Sequence, residues 1–424
     1  MNTSLHGNTS KTTVDFTKMI RGPFRQCPKC GKDTYGVLSV YSDNYRRRCN
    51  RAECWHTSDA IPLPSLQKKI IYLDQPAISE IAKVREPALK KNTDRQSNSC
   101  WIEIERRLTK LISCQAVVCP ESECHFYESL VHESTYDGFK SCYEGVAGGV
   151  KFLPPKEIKT RQICRALRKW LGDKTVNEMK VADSTSGNIH AWQDGMRITS
   201  NIDWSAMRNG LQKARNSVDE KLQKVFSQWQ GDQNLKFDDW IKEETLGVGK
   251  CLINSFRDAL SEFNENPGDP NAVLRYTHHS MHRIMRDIQD NGISSQKVME
   301  TLCEFFRTTE FAELPSVKIS AMMFAAIARQ AAQQGRTTSP DRGFSMDVRA
   351  ISSFLPYCDA MFVDKGCWTI LTQNPVKDML GFSTRVFSTA NSNDFTNYLD
   401  EVSASMNAEH RKALVDVYGE ICTK

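Results

Sequence analysis

Lys69-Ile70-Ile71-Tyr72-Leu73-Asp74 is a short, strongly apolar run stopped by an acid, and it reads as a buried strand with a carboxylate at its exit. Residues 77–84 follow a helical pattern. The stretch 101–113 repeats it, with Trp101, Ile104, Leu108, Leu111 and Ile112 at helical spacing. A second strand is expected at 115–119 (QAVVC), and a helix at 122–131 with Ser122 as its N-cap. From about residue 144 the character changes, and helical periodicity dominates to about 340, as in 160–171, 204–229 and 317–334. Strand and helix then alternate again: a helix at 345–354, strands at 360–363 (AMFV) and 384–388 (TRVFS), and a helix at 393–402. Two α/β blocks around an α-rich block predict one α/β parallel-sheet domain built from residues 65–143 and 341–424. A large all-helical insertion at 144–340 divides it.

Upstream, residues 1–20 are rich in Ser, Thr and Asn without a hydrophobic period, which predicts a disordered tail. Residues 21–64 carry Cys27-Pro28-Lys29-Cys30-Gly31 and, after the strand-like Val37, Leu38, Val40 and Tyr41, a second pair at Cys49 and Cys54. Two thiolates separated by two residues can hold one ion, and the glycine permits the tight turn between them. Four thiolates at tetrahedral geometry make a small zinc ribbon, in which Zn2+ stabilises the fold and performs no chemistry. A segment this small lacks the apolar residues for a core without metal. The Cys49-x4-Cys54 spacing is wide, so His56 competes with Cys54 as fourth ligand. Arg46, Arg47, Arg48 and Arg51 flank the second pair. They are candidate nucleic-acid contacts, against the reading of a merely solvated basic turn. The segment ends in Ile61-Pro62-Leu63-Pro64, a stiff linker.

The composition, 40% hydrophobic and 25% charged over 424 residues, is ordinary for a globular protein and too long for one small core. Residues 1–64 hold ten Lys/Arg against five Asp/Glu, so the whole net charge of +5 lies on the tail and cysteine segment together. Fifteen cysteines, an odd number, occur in a long chain with a polar N-terminus. That favours reduced thiols and a metal site over a disulfide framework. No apolar stretch reaches about 18 residues, which predicts a cytoplasmic protein without a membrane segment.

Four acids stand at positions where such a fold places its chemistry. Asp74 follows the first strand, Glu128 lies six residues after Ser122, Asp347 opens a later helix in Ser345-Met346-Asp347, and Asp364 follows Ala360-Met361-Phe362-Val363. In an open parallel sheet, ligands bind at the carboxyl ends of the strands, where the next helices begin. Asp74 and Asp364 should lie just past their strands, with Glu128 and Asp347 in first turns of helices, so all four should converge on one edge. Uncompensated, they would repel one another, and hard oxygen donors favour Mg2+ or Mn2+ between them. Such a site hydrolyses phosphodiesters by activating water and clamping the attacking and leaving oxygens of an in-line displacement.

This order of motifs resembles the PIN-domain nucleases, a family that includes the ribonuclease toxins of bacterial toxin–antitoxin pairs. In that family an Asp ends the first strand, a Glu sits on the helix after the second, an Asp opens a later helix and another Asp ends the next strand. The resemblance covers roughly residues 69–131 and 345–402. It implies a PIN-like fold and a metal-dependent endonuclease in which Asp74, Glu128, Asp347 and Asp364 are the catalytic metal ligands. RNA is the expected substrate ahead of DNA, because in-line attack needs a backbone that can bend. A toxin or phage-defence role would follow, with the insertion capping the site or answering to a regulatory protein partner.

Other residues compete. Glu121, Glu123 and His125 are alternatives to Glu128. Asp359 precedes its strand and should lie about 13 Å from the acidic end at about 3.3 Å per residue, so it reads as structural. His278, His279 and His282 have metal-like spacing but read as helix-surface or core histidines. Leu246-Gly247-Val248-Gly249-Lys250 lacks the spacing of a phosphate loop and reads as a turn between helices. Cys114, Cys119 and Cys124 read as buried, and Trp192, Trp204, Trp229 and Trp240 as core anchors ahead of base-stacking platforms. The competing functions are a non-catalytic nucleic-acid- or protein-binding protein with the α/β unit as scaffold, and a metallohydrolase of small phosphate compounds.

Overall fold

The structure is a computed structural model and describes residues 19–89, 99–131, 136–193, 204–232 and 234–419. The expected tail therefore lies outside the described residues up to 18, and Ile20 is already buried. Strands β1 (Arg21–Arg25), β2 (Tyr35–Val40), β3 (Asn44–Cys49) and β4 (Ile61–Pro62) form a small antiparallel sheet in that order. The second sheet contains β5 (Lys69–Leu73), β6 (Val117–Val118), β9 (Ala360–Phe362) and β10 (Arg385–Phe387). Its order is β10-β9-β5-β6 and every pairing is parallel.

The near-continuous apolar character of β5 has a direct structural cause. Successive side chains of a strand face opposite sides, and here both sides are covered. Ile70 and Tyr72 enter one core while Ile71 and Leu73 enter the other; in β9, Met361 opposes Ala360 and Phe362 in the same way. One covering layer is the helices Gln75–Arg85, Ser99–Ser113, Tyr136–Ala147 and Ser392–Ser405. The other comprises Pro315–Gln333, Phe344–Phe354 and Lys365–Thr372. Sheets buried on both faces read as runs and not as alternation. Each fully buried Ile, Leu or Phe here, such as Phe354, contributes about 1.5–3 kcal/mol.

Three expectations about the insertion need correction. It is not all-helical, because β7 (Lys151–Phe152) and β8 (Thr185–Ser186) form a two-stranded antiparallel ladder, and Lys151 bridges Glu121. Two residues per strand leave no periodicity to read. Nor is residue 340 a physical boundary, since the helix Pro315–Gln333 sends Ile319, Met322, Met323 and Ile327 into the core that covers the sheet. Among the described residues, only the cluster around Ile163, Leu167, Ile284, Leu302 and Phe305 forms a core largely the insertion's own. The segment 246–250 is likewise no turn: it runs inside the helix Phe237–Glu265, where Gly249 leaves room for the Phe306 ring, 2.9 Å from where a Cβ would stand.

The antiparallel sheet is docked onto the C-terminal helix Ala408–Tyr418. Val37, Val40 and Tyr45 share a core with Leu66, Trp192, Leu414 and Val417. Arg47 is the polar centre of this contact. No helix among the described residues is long and apolar enough to cross a membrane.

Candidate functional site

The acidic edge is built by strand endings. Register places Leu73 opposite Phe362, and the Asp74 amide donates to the Phe362 carbonyl at 2.9 Å, so Asp74 and the exit of β9 lie side by side. Asp74 has extended backbone and N-caps the helix Gln75–Arg85, its carboxylate accepting from the Gln75 amide at 2.9 Å with Pro76 in the first turn. Asp364 does the same for Lys365–Thr372, accepting from the Gly366 and Cys367 amides at 2.6 and 3.0 Å. Caps of this kind satisfy helix donors and gain from the positive N-terminal end. They occupy one oxygen of each acid. The other, Oδ2, is buried without a hydrogen-bond partner in both Asp74 and Asp364.

Asp347 lies in the first turn of Phe344–Phe354, and its carboxylate, that of Asp364 and the Cys367 sulfur all lie within 4.8 Å of one another. Glu128 sits in the second turn of Glu123–Val131, one turn later than expected. Neighbouring acids act on Asp74, Glu128 and Asp347. Burial first, and then the neighbouring Asp364, pushes Asp74 up to about 7. Burial and then Asp74 raises Glu128 to about 8. Burial, then Asp74, Glu128 and Asp364, raises Asp347 to about 9. Opposing these shifts, the Arg215 guanidinium favours the charged forms of Glu128 and Asp347. A groove of about 460 Å3, lined by Pro76, Glu80, Trp101, Asp364, Lys365 and Thr389 among others, opens beside this edge.

The competing acids are otherwise engaged. Glu121 pairs with Lys151, and Glu123 takes Arg349 at 3.0 Å and the Tyr127 hydroxyl at 2.8 Å. His125 is buried, accepts the Ser122 amide at Nδ1, and lies with Nε2 2.6 Å from the Leu73 carbonyl while stacking on Tyr72. That arrangement braces β5 one residue before Asp74. Ser122 is the N-cap expected of it, accepting from the His125 amide at 3.3 Å. Asp359 sits at the opposite end of β9, holding Lys69 at 2.7 Å and the Ile70 amide at 2.9 Å, and is structural.

The second cluster is the cysteine group. Cys27, Cys30, Cys49 and Cys54 bring their sulfurs within 4.8 Å of one another, with Cys27 3.7 Å from Cys54 and Cys30 3.8 Å from Cys49. The Cys27 carbonyl accepts from Gly31, whose φ of +71° suits glycine. The group could hold a metal ion. His56 is outside it and stacks on Tyr35 at 5.6 Å, which settles the fourth position of the group on Cys54.

The four arginines do not act alike. Arg47 is 2% exposed and donates to the carbonyls of Pro23 at 2.8 Å, Tyr35 at 3.0 Å and Asp416. It is a structural residue and not a nucleic-acid contact, because its donors are turned inward. Arg46 is exposed, Arg48 lies over the Trp55 ring at 4.0 Å, and Arg51 pairs with Glu53.

Several other candidates are engaged in structural contacts. His279 N-caps Ser280–Asp290, and His282 packs edge-on against Tyr276. Trp229 and Trp240 meet at 6.3 Å inside the core, and Trp192 donates to the Pro64 carbonyl. Cys114, Cys119 and Cys124 are buried. Sequence reasoning missed Cys367 and Arg215. Cys367 is three residues past Asp364, a spacing that puts it on the same first turn; burial first, and then the acids around it, hold its thiol protonated. Arg215 gives no local signal. No known family, curated protein or solved structure matches this chain.

Proposed function

We propose that this chain is a metal-dependent nuclease of PIN-like architecture, with Asp74, Glu128, Asp347 and Asp364 holding Mg2+ or Mn2+ and RNA as the favoured substrate. The observation that carries this reading is the convergence of acids from distant segments at one sheet edge, two of them with buried, unpartnered carboxylate oxygens. An all-oxygen acidic set with unsatisfied lone pairs fits a hard divalent cation. A bound cation of this kind supplies Lewis-acid polarisation of the phosphoryl group and a more acidic water for in-line attack.

The chain's own residues supply the rest. The N-cap bonds fix one oxygen of Asp74 and one of Asp364, so these carboxylates are oriented before anything binds, which is where preorganised sites gain rate. The helices Gln75–Arg85 and Lys365–Thr372 both begin at this edge, and their N-terminal ends favour an anionic substrate. The groove running past Trp101 and Lys365 offers a path for a single strand. Cys27, Cys30, Cys49 and Cys54 take Zn2+ as a structural ion, and exposed Arg46 beside them contributes to binding.

The test is cleavage of labelled single-stranded RNA, single-stranded DNA and duplexes in Mn2+ or Mg2+, comparing wild type with Asp74→Asn and Asp347→Asn. Wild-type cleavage of RNA, lowered at least about a thousandfold by either variant, is the expected outcome. Equal cleavage by all three proteins, or hydrolysis of free nucleotides with no polymer requirement, would overturn it.

A further inference from the structure

The helix Ser205–Trp229 crosses from the insertion to the acidic edge, and its covered face carries an unusual sequence. The residues that are not exposed along it are Arg208, Leu211, Gln212, Arg215, Asp219, Leu222, Phe226 and Trp229, close to a 3.6-residue repeat. The last three anchor the helix: Phe226 and Trp229 are buried in the sheet-covering core, with Leu222 against it. An amphipathic helix normally keeps its inward stripe apolar from end to end. Here the stripe turns charged at Asp219, Arg215 and Arg208, where the helix meets Glu123–Val131 and Phe344–Phe354, the elements that carry Glu128 and Asp347.

The two arginines are placed by specific neighbours, while Asp219 Oδ2 is buried without a hydrogen-bond partner. The Arg208 guanidinium donates to the Leu130 carbonyl at 2.9 Å, fixing the helix to the end of Glu123–Val131. Arg215 reaches Gly343, the residue that caps the Asp347 helix: a Cβ at Gly343 would stand 3.0 Å from Arg215 Nη2. Gly343 also has φ +98°, a conformation that disfavours any side chain. Both features keep the space open for the guanidinium. Arg215 acts on Glu128 and Asp347, which stand on the flanking helices, while the strand-end acids Asp74 and Asp364 keep their unpartnered oxygens. It thus stands at the rim of the cluster, on the side the insertion covers.

We infer that Arg215 is the phosphate-contacting cation of this site, delivered by the inserted helix to a phosphodiester held at the acidic edge. The inference rests on the nuclease reading and assigns the insertion a part in substrate binding beyond covering the site. An arginine among acids serves a phosphate well because its planar fork offers two parallel donors and it never loses its charge. The open space at Gly343 and the attraction of Glu128 and Asp347 keep the guanidinium at the edge until a phosphate takes its place beside them.

The experiment is binding of a fluorescent single-stranded oligoribonucleotide to the full chain in Ca2+, across a salt series. Wild type is compared with Arg215→Gln, Arg215→Lys and the exposed-surface control Lys213→Gln; Mn2+ binding is measured separately by electron paramagnetic resonance. Arg215→Gln should weaken the oligonucleotide about tenfold and lower the slope of log affinity against log salt by about one, with Arg215→Lys intermediate. Mn2+ binding should be retained or tightened, since a neighbouring positive charge is gone. Wild-type oligonucleotide binding with an unchanged slope in Arg215→Gln overturns this inference alone. A wild-type chain that takes up Mn2+ and binds no oligonucleotide overturns the nuclease reading, and this inference with it.

Discussion

The two clusters of potential ligands are assembled by opposite strategies. The four cysteines lie between Cys27 and Cys54 and are gathered by one small antiparallel sheet with tight turns. The four acids lie between Asp74 and Asp364 and are gathered by the exits of two parallel strands and by two separate helices. A local cluster can form only if something replaces the missing core, and thiolates around an ion do that. A long-range cluster is imposed by a core that folds for other reasons, and the acids are carried along against their mutual repulsion. Removing a ligand should therefore weaken the first region and relieve the second.

The largest effect belongs to the cysteine group. One zinc per chain is expected by elemental analysis, and Cys49→Ser should abolish it. Structural zinc contributes roughly 10–16 kcal/mol in small domains, far above what the few apolar residues of this sheet can replace. Limited proteolysis should then cut between residues 21 and 62 while the rest of the chain stays protected. A zinc-free variant as resistant to protease as wild type would break the comparison at its first term.

The same contrast explains what the sequence discloses. Cys27, Cys30, Cys49 and Cys54 are legible because the spacing is local. Asp74 and Asp364 are legible because an acid after an apolar run marks a strand exit whatever the partner strand. Glu128 lies a turn deeper in its helix than expected, because six residues past the Ser122 cap is already the second turn. Arg47 was readable in principle. In β3, Tyr45, Arg47 and Cys49 share one face at period two, and Tyr45 and Cys49 face inward; grouping it with Arg46 by charge ignored that period. The β7–β8 ladder and Arg215 were beyond reach, because two-residue strands have no period and a helix position acquires its meaning only from what it crosses.

Arg47 gives the next largest effect and tests whether the cysteine region is tied to the rest by more than its metal. Its guanidinium bridges three carbonyls, one of them from the C-terminal helix. Arg47→Met keeps the volume and orphans those acceptors, at a cost of about 2–4 kcal/mol by denaturant unfolding. Arg46→Gln, one residue away on the exposed face, should change stability by less than about 0.5 kcal/mol. Equal effects of the two would show that inward burial of Arg47 contributes nothing.

The acidic edge should respond with the opposite sign and the smallest size. Ordinary carboxylates titrate near 4, whereas Asp74, Glu128 and Asp347 are pushed up to about 7, 8 and 9 in the folded chain. Between pH 4 and those values the folded protein keeps protons that the unfolded chain has released, so its stability falls as pH rises and the full penalty is reached above about pH 9. In zinc-replete buffer free of Mg2+ and Mn2+, thermal unfolding of wild type should lose more between pH 6 and pH 9 than Asp347→Asn does. At pH 9 the variant should be the more stable by about 1–2 kcal/mol, a fraction of the full shift because water reaches the edge. Protons and cation compete for the same oxygens, so apparent Mn2+ affinity should climb over the same interval. An Asp347→Asn protein that is less stable than wild type at pH 9 would mean that the acids support the fold as the cysteines do, and the two regions would no longer differ in kind.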